Sequence, residues 1–206
     1  MAITTYAELQ TSIANWLNRD DLTAVIPDFI SLSEAEMDRK IRHWRMEKRV
    51  TTTADGQYTG LVGDYLEAIR FSVPGSRYER LELASQGEIQ QRRYSTNNTT
   101  GIPQYYAITD SQLELYPTPD GSYTVEMLYY GQIPPLTDST TTNWLLTHHP
   151  DAYLYGALVH AAPYLGDDQR AMTWSALYQS ALDAINKESS DAKFGGSGRR
   201  LKIASY

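Results

Sequence analysis

The apolar residues of this chain keep one period, leave it near Glu47 and return to it after residue 143, and no fold of a single class accommodates both periods. At the start, Thr5-Tyr6-Ala7-Glu8 has the spacing by which a hydroxyl and a carboxylate reciprocally satisfy the free N–H groups of a helix start. Tyr6, Leu9, Ile13, Trp16 and Leu17 then fall on one face, until Asn18-Arg19-Asp20-Asp21 breaks the pattern. A second helix is expected from about Pro27, with Phe29, Ile30, Ser33, Met37, Ile41 and Trp44 along one side.

From Glu47 the period is 2, the mark of strands with one dry and one wet face. Ile69, Phe71 and Val73 alternate with polar residues, as do Leu81 and Leu83, Leu113 and Leu115, and Tyr123, Val125, Met127 and Tyr129. Asp55-Gly56, Pro74-Gly75, Asp110-Ser111 and Asp120-Gly121 supply turn chemistry between them, and TDSQ and PDGS are expected to turn two hairpins. Residues 84 to 93, ASQGEIQQRR, read as a short helix. Residues 131 to 143, GQIPPLTDSTTTN, read as a linker too polar to pack in a core.

Helical periodicity returns with Pro150 at a first turn, a stripe of Leu154, Leu158, Ala161 and Leu165, and Gly166 as a terminator. Asp167 reads as the N-cap of a last helix whose apolar side is Trp174, Leu177, Tyr178, Ala181 and Ile185. The order helix, helix, strands, helix, helix predicts an α+β fold: a four-helix bundle carrying a mostly antiparallel β-module as an insertion. The divisions are 1–46 for the N-terminal helices, 47–143 for the β-module and linker, 144–190 for the C-terminal helices, and 191–206 for a flexible arm.

Charge and composition narrow the function. The chain of 206 residues has a formal charge of −7, yet residues 192 to 206 carry Lys193, Arg199, Arg200 and Lys202 without an acid. An acidic body argues against a general nucleic-acid binder, since duplex affinity depends on cations neutralising phosphates. Zero cysteines exclude disulfide frameworks and thiolate chemistry. No apolar run reaches the length of a membrane span and no leader pattern opens the chain, which is therefore expected to be soluble, unsecreted and free of membrane.

LLTHHPDAYLYGALVHAAPYLGD holds three of the four histidines, and a metal-dependent hydrolase using His148, His149 and Asp151 is the rival reading. If residues 150 to 165 are helical, His149 and His160 lie roughly 16 Å apart along the axis, too far for one metal. HHPD is explained more simply as a helix start, with Thr147 or His149 near the cap and Asp151 facing the positive end of the dipole. Asp20-Asp21 and Asp167-Asp168 read as caps rather than an acid–base pair, and GGSGRR lacks the Gly-Lys-Ser/Thr of a phosphate loop. No catalytic residue, metal or cofactor is expected. Trp16, Trp44 and Trp174 read as core, whereas the 16 tyrosines exceed what a small β-core absorbs. Tyr105-Tyr106 and Tyr129-Tyr130 each put one ring on either face of a strand, so some of these rings are expected at a subunit or tail interface.

The chain resembles the head-to-tail adaptor (connector) proteins of tailed bacteriophages. The resemblance is carried by IPDFISLSEAEMDRKIR, by GIPQYYAITDSQLELYPTPDGSYTVEMLYYGQIPPLTD, and by TNWLLTHHPDAYLYGALVHAAPYLGD with the Trp- and Tyr-bearing helix that follows. It implies a non-enzymatic virion protein, assembled in the host cytoplasm and placed at the neck, with twelve copies in a ring under the portal. Genomic DNA would pass through the lumen without sequence-specific binding, and tail or nozzle proteins would attach below. It further implies a C-terminal segment that grips the portal protein, a role that Phe194, Arg199, Arg200, Leu201, Lys202, Ile203 and Tyr206 match in character. A tail-completion or tail-terminator protein is the structural alternative.

Overall fold

The computed structural model of the protein describes residues 3–77, 79–166 and 170–195, the side chain of Phe194 excepted. Within them lie six helices and two mostly antiparallel sheets, a mixed α+β architecture. The chain divides into two compact units: a helical unit up to Arg45 and from Ile133 onward, and a β unit, Met46–Gln132.

In the helical unit, α1 (Tyr6–Leu17) starts at the reciprocal cap its sequence announces. The Glu8 amide donates to Thr5 Oγ1 at 3.3 Å, and Glu8 Oε2 accepts from the Thr5 amide at 3.0 Å. Asn18, at φ 54°, closes the helix in the left-handed region that Asn tolerates. The acids after it are not caps. Asp21 is gripped by both Arg19 nitrogens at 2.6 Å, and Val25 stands at the N-cap of α2 (Ile26–Lys40) without a side-chain bond.

Helix α2 buries Phe29, Ile30, Ser33 and Met37 as expected but stops one turn early. Side chains from the last helix take over the backbone groups of its exit. Asn186 donates to the Lys40 carbonyl at 3.1 Å and accepts from the Arg42 amide at 2.9 Å, while Ser189 Oγ accepts from the Trp44 amide at 2.9 Å. Trp44 therefore opens a 3-10 turn, Trp44–Met46, and leaves the helical face predicted for it.

Two helices follow the β unit, α4 (Trp144–His148) and α5 (Pro150–Leu165), and then α6 (Ala171–Phe194); α3 belongs to the β unit. Helix α5 is apolar nearly all round, burying Ala152, Tyr153, Leu154, Gly156, Ala157, Leu158, Ala161 and Ala162. Such a helix needs neighbours on several sides, and α5 packs against α1, α2, α4 and α6. At Gly156 the approach is so close that an added Cβ would lie 2.1 Å from Ser33 Oγ and 3.0 Å from the Tyr178 ring. Helix α6 buries Trp174, Tyr178, Ala181, Leu182 and Ile185. Leu177, expected beside them, is 40% exposed. The helix continues past residue 190 to Phe194, and Asp167 and Asp168 lie outside the described residues.

Residues 131 to 143 correct the linker expectation. Ile133 and Leu136 are buried, and their amides donate to Asp38 Oδ1 at 3.0 Å and Glu34 Oε1 at 2.8 Å on α2. The Tyr6 amide donates to the Thr141 carbonyl at 2.7 Å. Asn143 caps α4 and also donates to the Pro134 carbonyl and to the Tyr153 hydroxyl, both at 2.7 Å. The prolines that suggested a spacer hold an extended strap, and its polar backbone is satisfied by side chains far off in sequence.

The β unit has three layers. One sheet has the order β1 (Glu47–Ala54), β7 (Tyr123–Gly131), β3 (Tyr65–Ser72). The other has the order β2 (Tyr58–Gly60), β6 (Gln112–Tyr116), β5 (Tyr105–Thr109), β4 (Glu82–Leu83), with β4 parallel to β5. Between the sheets lie Phe71, Val73, Leu81, Leu113, Leu115, Val125 and Met127. The helix α3 (Gln86–Ser95) covers the other face of the second sheet through Ile89, which packs with Ala107 and Tyr116.

TDSQ does turn a hairpin, since Thr109 pairs with Gln112 and Asp110 takes the left-handed conformation at φ 54°. PDGS does not: β6 and β7 lie in different sheets, so this turn carries the chain from one layer to the other. Leu81 and Leu83 also part company. The Leu81 amide donates to the Phe71 carbonyl of β3, while the next residues pair with β5, so residues 80 to 83 cross between the sheets. Leu81 is core, and Leu83 is 68% exposed.

Candidate functional site

The four strand tyrosines expected at an interface separate by burial. Tyr106 packs against Phe71 in the core, 4.9 Å between ring centres and tilted by 56°, and Tyr129 is buried in the same cluster. The Tyr129 hydroxyl donates to Asp64 Oδ1 at 2.9 Å. Burial together with that carboxylate pushes the phenol up to about 12. Both rings belong to the β-core. Tyr105 and Tyr130 are half-buried, and Tyr105 lies under the Arg92 guanidinium at 4.2 Å.

The aromatic side chains most open to solvent are others: Tyr94 on α3 at 85%, Tyr164 on α5 at 59% and Tyr58 on β2 at 47%. Position could have revealed Tyr94, because α3 is anchored through Ile89 and Arg93 and residue 94, five past Ile89, leaves that face. Trp174 is core, whereas Trp16 and Trp44 are 44% and 40% exposed. Trp16 touches Tyr155 edge-on, and Trp44 lies under the Arg45 guanidinium. Of the arm, Arg199, Arg200, Leu201, Lys202, Ile203 and Tyr206 lie outside the described residues, as does GGSGRR beyond Gly195. Only the backbone of Phe194 is described, as the last residue of α6.

The histidines do not gather as a catalytic triad. His148 is exposed, and His160 bonds Glu36 Oε2 at 2.8 Å. His149 stands at the start of α5 without a side-chain cap bond and turns its Nε2 to Glu188 Oε2 of α6, 3.4 Å away. The residue that completes this group is His43, the one histidine outside residues 145 to 167. Its ring is fully buried, stacked on Trp144 at 4.9 Å and 17°, and edge-on to His149 at 6.4 Å. Its Nδ1 accepts from the Arg45 amide at 3.2 Å, and its Nε2, without a hydrogen-bond partner, lies 3.9 Å from Glu188 Oε1. No local signal in the sequence marks His43, because Trp144, His149 and Glu188 arrive from more than a hundred residues away. Among the described residues, no group of three His, Cys, Asp or Glu side chains is arranged to hold a metal ion. His148, His149 and Asp151 thus do not form the ligand set of the hydrolase reading.

Two polar groups inside the cores also escaped the sequence reading. In the β unit, Arg93 points inward from α3 and donates to the Leu115 carbonyl at 2.7 Å, to Thr118 Oγ1 at 2.7 Å and to Asn98 Oδ1 at 3.1 Å. Its Nε lies 3.4 Å from the buried Glu114 carboxylate. In the helical unit, Glu34 Oε1 accepts from the buried Tyr153 hydroxyl at 3.1 Å as well as from the strap. Burial raises the Glu34 carboxyl above its usual range, and raises Asp38 in the same way.

These polar groups cap, strap or pair. The sequence profile of the SU10 adaptor protein family matches residues 4–201, nearly the whole chain and both units. The chain belongs to that family. SU10 adaptors are phage head-to-tail adaptors, structural components of the virion neck that interact with portal and tail proteins. No curated protein matches the chain. Among the described residues, no helix of this adaptor is long and apolar enough to cross a membrane.

Proposed function

We propose that the protein is the repeating subunit of a dodecameric ring that docks on the portal, continues the DNA channel and provides the platform for tail proteins. The observation that carries this reading is the family match across residues 4–201, which spans the helical unit and the β unit alike. Within the proposal, α1, α2, α5 and α6 form a four-helix bundle with the β unit as its insertion, which agrees with the packing of α5 against the other three. The basic segment of residues 192 to 206 meets the portal through Phe194, Arg199, Arg200, Leu201, Lys202, Ile203 and Tyr206. The acidic remainder lets DNA slide, because a basic lining would hold the phosphates. Catalysis has no part in this role.

Contacts with neighbouring subunits or tail proteins fall to exposed rings and apolar side chains: Tyr58 and Tyr94 of the β unit and Met172 of α6, joined by the half-buried Tyr105 and Tyr130. Imaging the purified full chain mixed with isolated portal rings tests the reading. A ring of subunits seated on the portal is expected, and deletion of residues 192 to 206 should abolish it. Binding to isolated tails but not to portals would instead identify a tail-completion protein.

A further inference from the structure

The chain leaving α2 is held by the end of α6 through a set of contacts that differ in kind. Asn186 and Ser189 supply neutral hydrogen bonds to Lys40, Arg42 and Trp44, which are indifferent to pH. Beside them sits a titratable group in which two imidazoles, His43 and His149, share one carboxylate, Glu188. The imidazoles are packed among Trp44 and Trp144, and the His43 ring has no solvent exposure. We propose that this cluster is an acid-released latch, holding the last turns of α6 on residues 40–45 while the imidazoles are neutral and letting go when they take up protons.

The physical basis is the count of charges around the two rings. From α6 there is one anion, Glu188, half exposed and so partly screened. The first turn of α5 adds Asp151 near His149, while the segment itself brings Arg45 and α4 brings His148. One proton can be balanced by Glu188; a second puts two imidazolium rings 6.4 Å apart beside Arg45, inside an aromatic pocket that solvates charge poorly. His43 Nε2 is already a buried nitrogen without a hydrogen-bond partner, so water entering on release gains a bond that the closed form lacks.

The direction of the linkage follows. Burial first, then the neighbouring histidines and Arg45, hold both imidazoles below the ordinary value despite the pull of Glu188. A histidine with a lowered native pKa binds its proton more readily once released. The latch is therefore at full strength above the ordinary imidazole value of about 6.5 and weakens as pH falls through and below it.

Hydrogen exchange of the full chain, corrected for the intrinsic pH dependence of exchange, reads the latch through the α6 peptide of residues 183 to 194. Against a β7 reference peptide, protection of the α6 peptide should fall at least fivefold between pH 7.5 and pH 5.5. His149→Gln, on a partly exposed ring, should cut that drop to less than half with little change at pH 7.5. His43→Phe keeps an aromatic ring in the stack and should do the same. Glu188→Gln, which removes the carboxylate shared by the rings, lowers both native imidazole values further and should deepen the drop below pH 6.5. Equal protection of wild-type α6 at the two pH values overturns the latch, as does an unchanged drop in His149→Gln and His43→Phe.

Discussion

The carboxylates under the strap of the helical unit and those of the β-sheets are satisfied in different ways. In the helical unit Glu34 and Asp38 lie against the strap and accept backbone and hydroxyl hydrogens, and burial raises both, although the Arg42 charge pulls Asp38 the other way. In the β unit each such carboxylate has a cation. Glu114 faces Arg93, Glu126 is bonded by Arg49 and Arg70, and Asp64 takes Lys48 at 2.5 Å. The difference follows from what each acid must do. A strap without strand partners needs acceptors for its amides, whereas a sheet already satisfies its backbone and leaves side chains to neutralise one another.

This contrast can be broken from either side, and the chain has a convenient reporter. All four tryptophans, at 16, 44, 144 and 174, are in the helical unit, so their fluorescence follows that unit while tyrosine circular dichroism also follows the other. The largest effect is expected from Arg93→Ala. It strands a buried carboxylate and should cost about 3–5 kcal/mol, seen as an early tyrosine transition with the tryptophan transition nearly unmoved. Gly156→Ala should do the reverse. The new methyl meets Ser33 and Tyr178, and the tryptophan transition should fall by about 1–3 kcal/mol.

Tyr153→Phe removes one hydroxyl from Glu34 and Asn143 and should cost about 1–2 kcal/mol in chemical denaturation of the helical unit. The smallest effects test the contrast most directly. Glu34→Gln keeps an acceptor for the strap and relieves a buried charge, so stability at pH 7.5 should be level or slightly higher. Because the native Glu34 carboxyl is raised, its contribution favours folding at low pH and is lost as pH rises through its native value; the variant should flatten that dependence. Asp64 is the opposite case. Burial works against it, but bonds from Lys48 and Tyr129 bring it below its usual value. Its contribution is present at neutral pH and lost as pH falls through that lowered value, and Asp64→Asn should cost under about 1 kcal/mol at neutral pH, given its exposure.

Local grammar made much of the fold legible. The Thr5–Glu8 cap, the change of period at Glu47, the Asp110 hairpin and the first-turn Pro150 each act within a few residues, and each stands where the sequence puts it. What failed was long-range. Trp44 fits the period of α2, yet Asn186 and Ser189 give its segment a better set of hydrogen bonds than another helical turn. PDGS has good hairpin chemistry, but a turn sequence cannot say that the strands it joins belong to different sheets. Alternation assigned Tyr106 and Tyr129 a face without saying which face a second sheet would cover. His43 carries no motif and acquires its meaning only when α4, α5 and α6 arrive around it.

The strap bears on how the helical unit comes apart. Residues 131 to 143 touch α1 through Tyr6, α2 through Glu34 and Asp38, α4 through Asn143 and α5 through Tyr153. Fraying any one of these helices pulls on bonds that anchor the others, so the amides of Tyr6, Ile133 and Leu136 have little opportunity for private opening. A stretch rich in proline and threonine, the composition of a hinge, thereby makes the surrounding helices a single foldon.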